Sequence, residues 1–123
     1  MSLSTEELLK LIIDTSEEFK AVDLKVLQVD HICDFADYFV IMSGTSTTQV
    51  QSLAEELHYR SKHADRHSIG EEGMASAEWC LLDFGDIVVH VFLPAKREHY
   101  DLENLWADAL VIYPNDGGEA ASE

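Results

Sequence analysis

The chain has 123 residues, 46% of them hydrophobic, which is enough for one domain to bury a core without disulfides or metal and too little for a second domain. Its 24 acidic residues against 8 Lys and Arg leave a formal net charge of -16, which argues against extensive direct contact with nucleic acid and favours a basic protein or a cationic ligand as partner, beyond conferring solubility. Cys33 and Cys80 are too few for a disulfide framework and both sit in apolar runs, so a reducing compartment, the cytoplasm, is expected.

The opening "MSLSTEELLKLIID" has no basic stretch ahead of a continuous apolar one, and no run approaches the roughly 18 apolar residues that span a bilayer. Ser4 and Glu7 form a capping box, and Leu8, Leu11, Ile12, Thr15 and Phe19 recur at helical spacing, which predicts a first helix. "AVDLKVLQVDHI" sets Leu24, Val26 and Gln28 against Lys25 and Leu27 and predicts a strand. "DYFVIMS", Asp37 to Ser43, predicts a second after the turn-forming "DFAD". Gly44 ends that strand. Ser46 and Gln49 repeat the capping-box pattern, and Val50, Leu53, Ala54 and Leu57 mark one face of a helix to about His63. A short edge strand is expected from Arg66 to Ile69, then an exposed loop within "HSIGEEGMASAE".

"EWCLLD" and "DIVVHVFL" predict a tight hairpin with Phe84 and Gly85 as its turn. Counting outward from that turn pairs Asp83 with Asp86, Leu81 with Val88, Trp79 with His90 and Ala77 with Phe92, all on one face. Cys80, Leu82, Ile87, Val89, Val91 and Leu93 fall on the other. The second set is aliphatic and is expected to lie beneath the two helices. The first mixes aromatics, His and carboxylates, and is expected to be partly exposed as a partner-binding surface, with a second core layer as the alternative. Beyond Pro94, Lys96 to Trp106 predicts one or two short helices, with Arg97 and Asp101 spaced for an i,i+4 pair, Tyr100 as an interface anchor and Trp106 capping the sheet. The candidate partner-binding residues are thus Trp79, Leu81, Asp83, His90, Phe92, Tyr100 and Asp101. A single domain over residues 1–112 and a flexible acidic tail over 113–123 are expected.

No catalytic or metal-ligating set stands out. Ser43, Gly44 and Ser46 at a helix start invite a phosphate-holding reading, but Asp83 and Asp86, the carboxylates nearest to serving Mg²⁺, flank a turn and do not follow that helix. A strand end and a helix cap explain "SGTSTTQ" better. His58 and His63 are five residues apart, on different sides of a helix, and with His67 find no completing ligand by spacing, so surface histidines are expected and no metal. His90, opposite an aromatic, suits packing or an interface better than proton transfer, and no nucleophile with a matching base is evident. No cofactor is called for.

The blocks "KAVDLKVLQV", "DYFVIMSGTS", "EWCLLDFGDIVVHVFLP" and "REHYDLENLW" resemble, in order and spacing, the Iojap or ribosomal silencing factor family, over Lys20 to Trp106. The resemblance implies a compact α/β domain with a mixed sheet, nucleotidyltransferase-like in fold and usually dimeric. It also implies binding to the fourteenth protein of the large ribosomal subunit, which blocks subunit joining and dampens translation when nutrients are scarce. The acidic balance suits that basic partner. Together these readings give one α/β domain, a mixed sheet of mostly five strands, and helices packed on one face. A metal-dependent nucleotidyltransferase-like enzyme is the alternative. Cys80 and the His-rich "HYRSKHADRH" depart from the family pattern.

Overall fold

Helix α1, Thr5–Glu18, begins at its predicted box: the Glu7 N–H donates to Ser4 Oγ at 3.2 Å and the Ser4 N–H to Glu7 Oε1 at 2.9 Å. Its buried face is Leu8, Leu9, Ile12, Thr15 and Ser16, with Leu11 and Phe19 only half-buried. Ser16 is tolerated there because its hydroxyl donates to the Ile12 carbonyl at 2.7 Å, leaving no unpaired polar group. The structure, a computed structural model, describes residues 3–73, 76–100 and 109–113.

The remaining elements are β1 (Val22–Gln28), β2 (Tyr38–Ser43), α2 (Thr47–His63), β3 (Gly70–Glu72), β4 (Trp79–Asp83), β5 (Ile87–Phe92), α3 (Pro94–Tyr100) and β6 (Leu110–Tyr113). They build one sheet in the order β3-β4-β5-β2-β1-β6, antiparallel throughout except for the parallel pair β2 and β5. The sheet therefore has six strands where five were expected. Leu110–Tyr113 adds to the outer side of β1, and its short apolar run had carried no strand assignment.

Gly44, directly after β2, is required by a close approach. A Cβ there would stand 2.9 Å from both the Val50 backbone nitrogen and its Cγ2, so strand end and helix start could not meet. The expected capping box at α2 is only half formed. Ser46 Oγ accepts the Gln49 N–H at 3.1 Å, but the Gln49 side chain turns away, accepting from Thr45 and donating to the carbonyls of Phe19 and Lys20. That amide thereby fastens the start of α2 to the end of α1.

Helices α1 and α2 cover one face of the sheet over a cluster that includes Leu8, Ile12, Leu53, Leu57, Val40, Met42, Leu82, Val89 and Val91. The predicted aliphatic set of β4 and β5 lies there. The hairpin register, however, differs by two residues: Asp83 pairs with Val88, Leu81 with His90, and Trp79 with Phe92. Gly85 and Asp86, not Phe84 and Gly85, make the turn, since Gly85 adopts φ +91 and the Phe84 N–H donates to the Ile87 carbonyl at 2.9 Å. A shift of two preserves every strand side chain's face. It takes Asp86 into the turn, where its two oxygens accept from Thr5 Oγ1 and Arg66 at 2.6 Å each, while Ala77, ahead of β4 and at φ +56, leaves the strand alternation and joins the helix-side cluster. Arg66 also donates to the Leu3 carbonyl, and this clasp explains why the edge strand begins beyond the predicted Arg66–Ile69. Only the Ile69 N–H, donating to the Asp83 carbonyl, opens the ladder.

Candidate partner-binding face

The face opposite the helices carries its own small core. Leu27, Val29, Cys33, Ala36, Phe39, Ile41, Val88 and Phe92 are buried together, with Trp79, Leu81 and Ala109 packed at the margin. Strand β2 is buried on both parities because it runs through the middle of the sheet, and the β1–β2 connection brings Val29, Cys33 and Ala36 over the second face.

Within this layer the aromatic side chains form a continuous stack. Trp79 lies on Phe92 with ring centroids 4.9 Å apart, and His90 lies nearly parallel to Phe92 at 5.9 Å. Phe39 meets His90 edge-on at 5.7 Å. The Trp79 indole N–H donates to His90 Nδ1 at 3.2 Å. Trp79, Leu81 and Asp83 alternate along β4 on this face and are half-buried. His90 and Phe92 are not: they are 6% and 0% exposed, so the expectation that they are partly exposed is corrected. The physical reason is that β5 is an inner strand, roofed on this side by the stack itself and by its neighbours.

Burial pulls the His90 pKa down to about 4, with the Asp83 carboxylate opposing, so the imidazole is neutral near pH 7. Asp83 Oδ1 accepts the Gly85 N–H at 2.8 Å and so also shapes the hairpin turn. Tyr100 closes α3, but its side chain, Asp101 and Trp106 lie outside the described residues, and of the predicted tail over 113–123 only Tyr113 is described, as the last residue of β6.

Arg97 is 7% exposed. It donates to Ser43 Oγ at 3.0 Å, and its guanidinium lies 3.6 Å from Asp23, so α3 is tied to the end of β2. The polar groups of the "SGTS" stretch are thus engaged internally: Ser43 with Arg97, the Gly44 N–H with the Phe92 carbonyl, and Ser46 with Gln49. Asp83 and Asp86 serve different partners, the turn backbone in one case and Thr5 with Arg66 in the other. His58 sits against the Glu71 carboxylate, His63 against the Tyr59 ring at 4.3 Å, and His67 at 3.8 Å from Asp65. Among the described residues no group of three or more His, Cys, Asp or Glu is placed to hold a metal ion, and no helix is long and apolar enough to cross a membrane. Cys33 and Cys80 are free and buried, and burial, aided by Glu55, pushes the Cys80 thiol up.

The class follows from the fold: a single mixed α/β unit with α1 and α2 on one face of the sheet and a small aromatic layer on the other. The chain belongs to the family described as "Ribosomal silencing factor during starvation", which it matches over residues 2–123. It is 38% identical over 104 residues to the ribosomal silencing factor RsfS of Chromobacterium violaceum, an alignment covering 85% of each chain. It is 36% identical over 99 residues to "Mitochondrial assembly of ribosomal large subunit protein 1" of Mus musculus, covering 78% of this chain and 43% of that one. With "Protein Iojap, chloroplastic" of Zea mays it shares 34% identity over 98 residues, 79% of this chain and 42% of the other. A crystal structure of a Chromobacterium violaceum protein, 37% identical, superposes with a TM-score of 0.83 over 85% of this chain and 88% of that one.

Proposed function

We propose that the protein silences ribosomes by docking on the fourteenth protein of the large subunit, so that the small subunit cannot join and translation falls when nutrients are scarce. The half-buried β4 side chains Trp79, Leu81 and Asp83 carry the reading. They set an apolar ring, an aliphatic side chain and a carboxylate in one row on the face opposite α1 and α2. Tyr100, the last residue of α3, and Asp101, which follows it in sequence, are proposed to contact the partner as well. His90 and Phe92 support it from beneath. A net charge of -16 favours approach to a basic ribosomal protein and discourages contact with the RNA around it. The family membership, and the large-subunit assembly named for the mouse relative, support the same target. The protein acts in the cytoplasm by occupancy, without catalysis, and is a homodimer when free.

Co-sedimentation tests this. The purified protein should travel with large subunits through a sucrose gradient and lower their reassociation with small subunits. No enrichment on large subunits at low or moderate salt would overturn the proposal.

A further inference from the structure

If Trp79 is a docking residue, as proposed above, the partner meets an indole whose polar edge is already occupied. The N–H points inward and donates to His90 Nδ1 at 3.2 Å, while the ring rests on Phe92. His90, 6% exposed, is too deep to be a principal contact of a macromolecule, and Phe39 and Phe92 hold its own ring from two sides. Accepting at Nδ1 requires the neutral imidazole with its proton on Nε2.

We infer that His90 is a positioning residue, whose Nδ1 fixes the orientation of the Trp79 indole on the docking face. An indole N–H with no acceptor inside the protein turns toward water, and the ring would leave Phe92. With the N–H satisfied internally, the surface offered beside Leu81 and Asp83 is the apolar part of the ring. That chemistry suits an aliphatic side chain flanked by Lys or Arg on a basic protein.

Three substitutions in the full chain separate positioning from packing. His90→Phe keeps a ring between Phe39 and Phe92 but removes the acceptor. His90→Asn removes the ring but leaves an amide oxygen where Nδ1 stood. Trp79→Phe removes the donor. Binding is read by co-sedimentation with large subunits, and the indole by fluorescence in a Trp106→Phe background, where Trp79 is the remaining tryptophan of two. His90→Phe should move the emission to longer wavelength and weaken binding roughly tenfold, the scale of one lost hydrogen bond. His90→Asn should keep the parent's emission and most of its affinity despite a lower melting temperature. In the Trp79→Phe background, His90→Phe should weaken binding no further.

Parent-like emission and binding in His90→Phe, or losses in both His90 variants that track the folded fraction, would overturn the inference. One measurement needs no His90 variant: the Trp79 indole N–H of the parent should exchange with solvent slowly, and exchange at the rate of free indole would overturn the inference too. A parent that binds no large subunits defeats the docking reading, while emission and exchange still decide whether His90 sets the indole.

Discussion

The two faces of the sheet are stabilised differently. Beneath α1 and α2 the buried cluster is almost wholly aliphatic and fed by two helices and four strands, so deleting one side chain leaves many neighbours in place. The opposite face has eight buried side chains against eighteen, among the described residues, and is built around an aromatic stack. A thin layer of rings can be a core below and a surface above. Phe92 and His90 supply the first, Trp79 and Leu81 the second.

The largest expected effects come from Phe92→Ala and Ile12→Ala, which remove fully buried side chains from the two clusters. Each should cost about 2–5 kcal/mol in urea unfolding. Ile12→Ala should leave the binding constant of the folded fraction unchanged, whereas Phe92→Ala should also weaken binding, because Trp79 loses the ring it rests on. Equal binding by both folded fractions would erase the distinction drawn between the faces.

Acid should single out the aromatic layer next. Because the folded-state pKa of His90 is depressed from 6.5 to about 4, its contribution is complete above about pH 6.5 and is lost as the pH falls from there toward 4. The loss amounts to about 3 kcal/mol at roughly 1.4 kcal/mol per unit. Asp86 adds to it at lower pH. Burial alone would raise its pKa, but the hydrogen bonds from Thr5 and Arg66 and the charge of Arg66 outweigh that and hold it below 3.8. Its contribution is therefore lost as the pH falls through that lowered value. In His90→Phe the fall in stability between about pH 7 and pH 4 should shrink by most of the His90 share, as read by denaturation at each pH.

Leu81→Ala should be milder for the fold and sharper for function. At a half-buried site the stability cost should be about 1 kcal/mol, a few degrees of melting, while affinity for large subunits should fall roughly tenfold or more. A binding loss no larger than the loss of folded protein would make Leu81 part of the second core alone. The smallest effect belongs to Asp83→Asn. The amide oxygen still accepts from Gly85, so the turn is kept and only charge is removed. Binding should weaken by under about 1 kcal/mol, visibly at low salt and hardly at high salt.

Much of this was legible in the sequence because period and parity are local. Ser4 with Glu7 located α1, and alternation on β4 and β5 sorted Cys80, Leu82, Val89 and Val91 from Trp79, Leu81, Val88 and His90 even though the turn was placed one residue early. The depth of His90 and Phe92 was not legible from the hairpin, since it depends on β5 lying beside β2 and on Val29, Cys33 and Ala36 crossing over. One signal was available: "FVIM" in β2 is apolar on both parities, the mark of a strand covered on both faces. Strand β6 was missed because four apolar residues between polar stretches carry too little periodicity to distinguish a strand from a loop. The clasp of Arg66 on Asp86 was invisible because its partners are 20 residues apart and meet only after the sheet forms.

The parallel pairing of β2 with β5 also bears on how the protein is made. Tyr38 meets Ile87, so the partner strand follows 49 residues later in the chain. At the roughly 5–20 residues per second of synthesis, β2 waits about 2–10 s with one apolar edge open. The apolar side chains of β2 therefore stay without their β5 neighbours until that strand has been made, and both buried clusters, which draw on β5, wait for it. Trp79 likewise has no Phe92 ring to rest on until the last residue of β5 has been added, so the proposed docking row gains its support only late in synthesis.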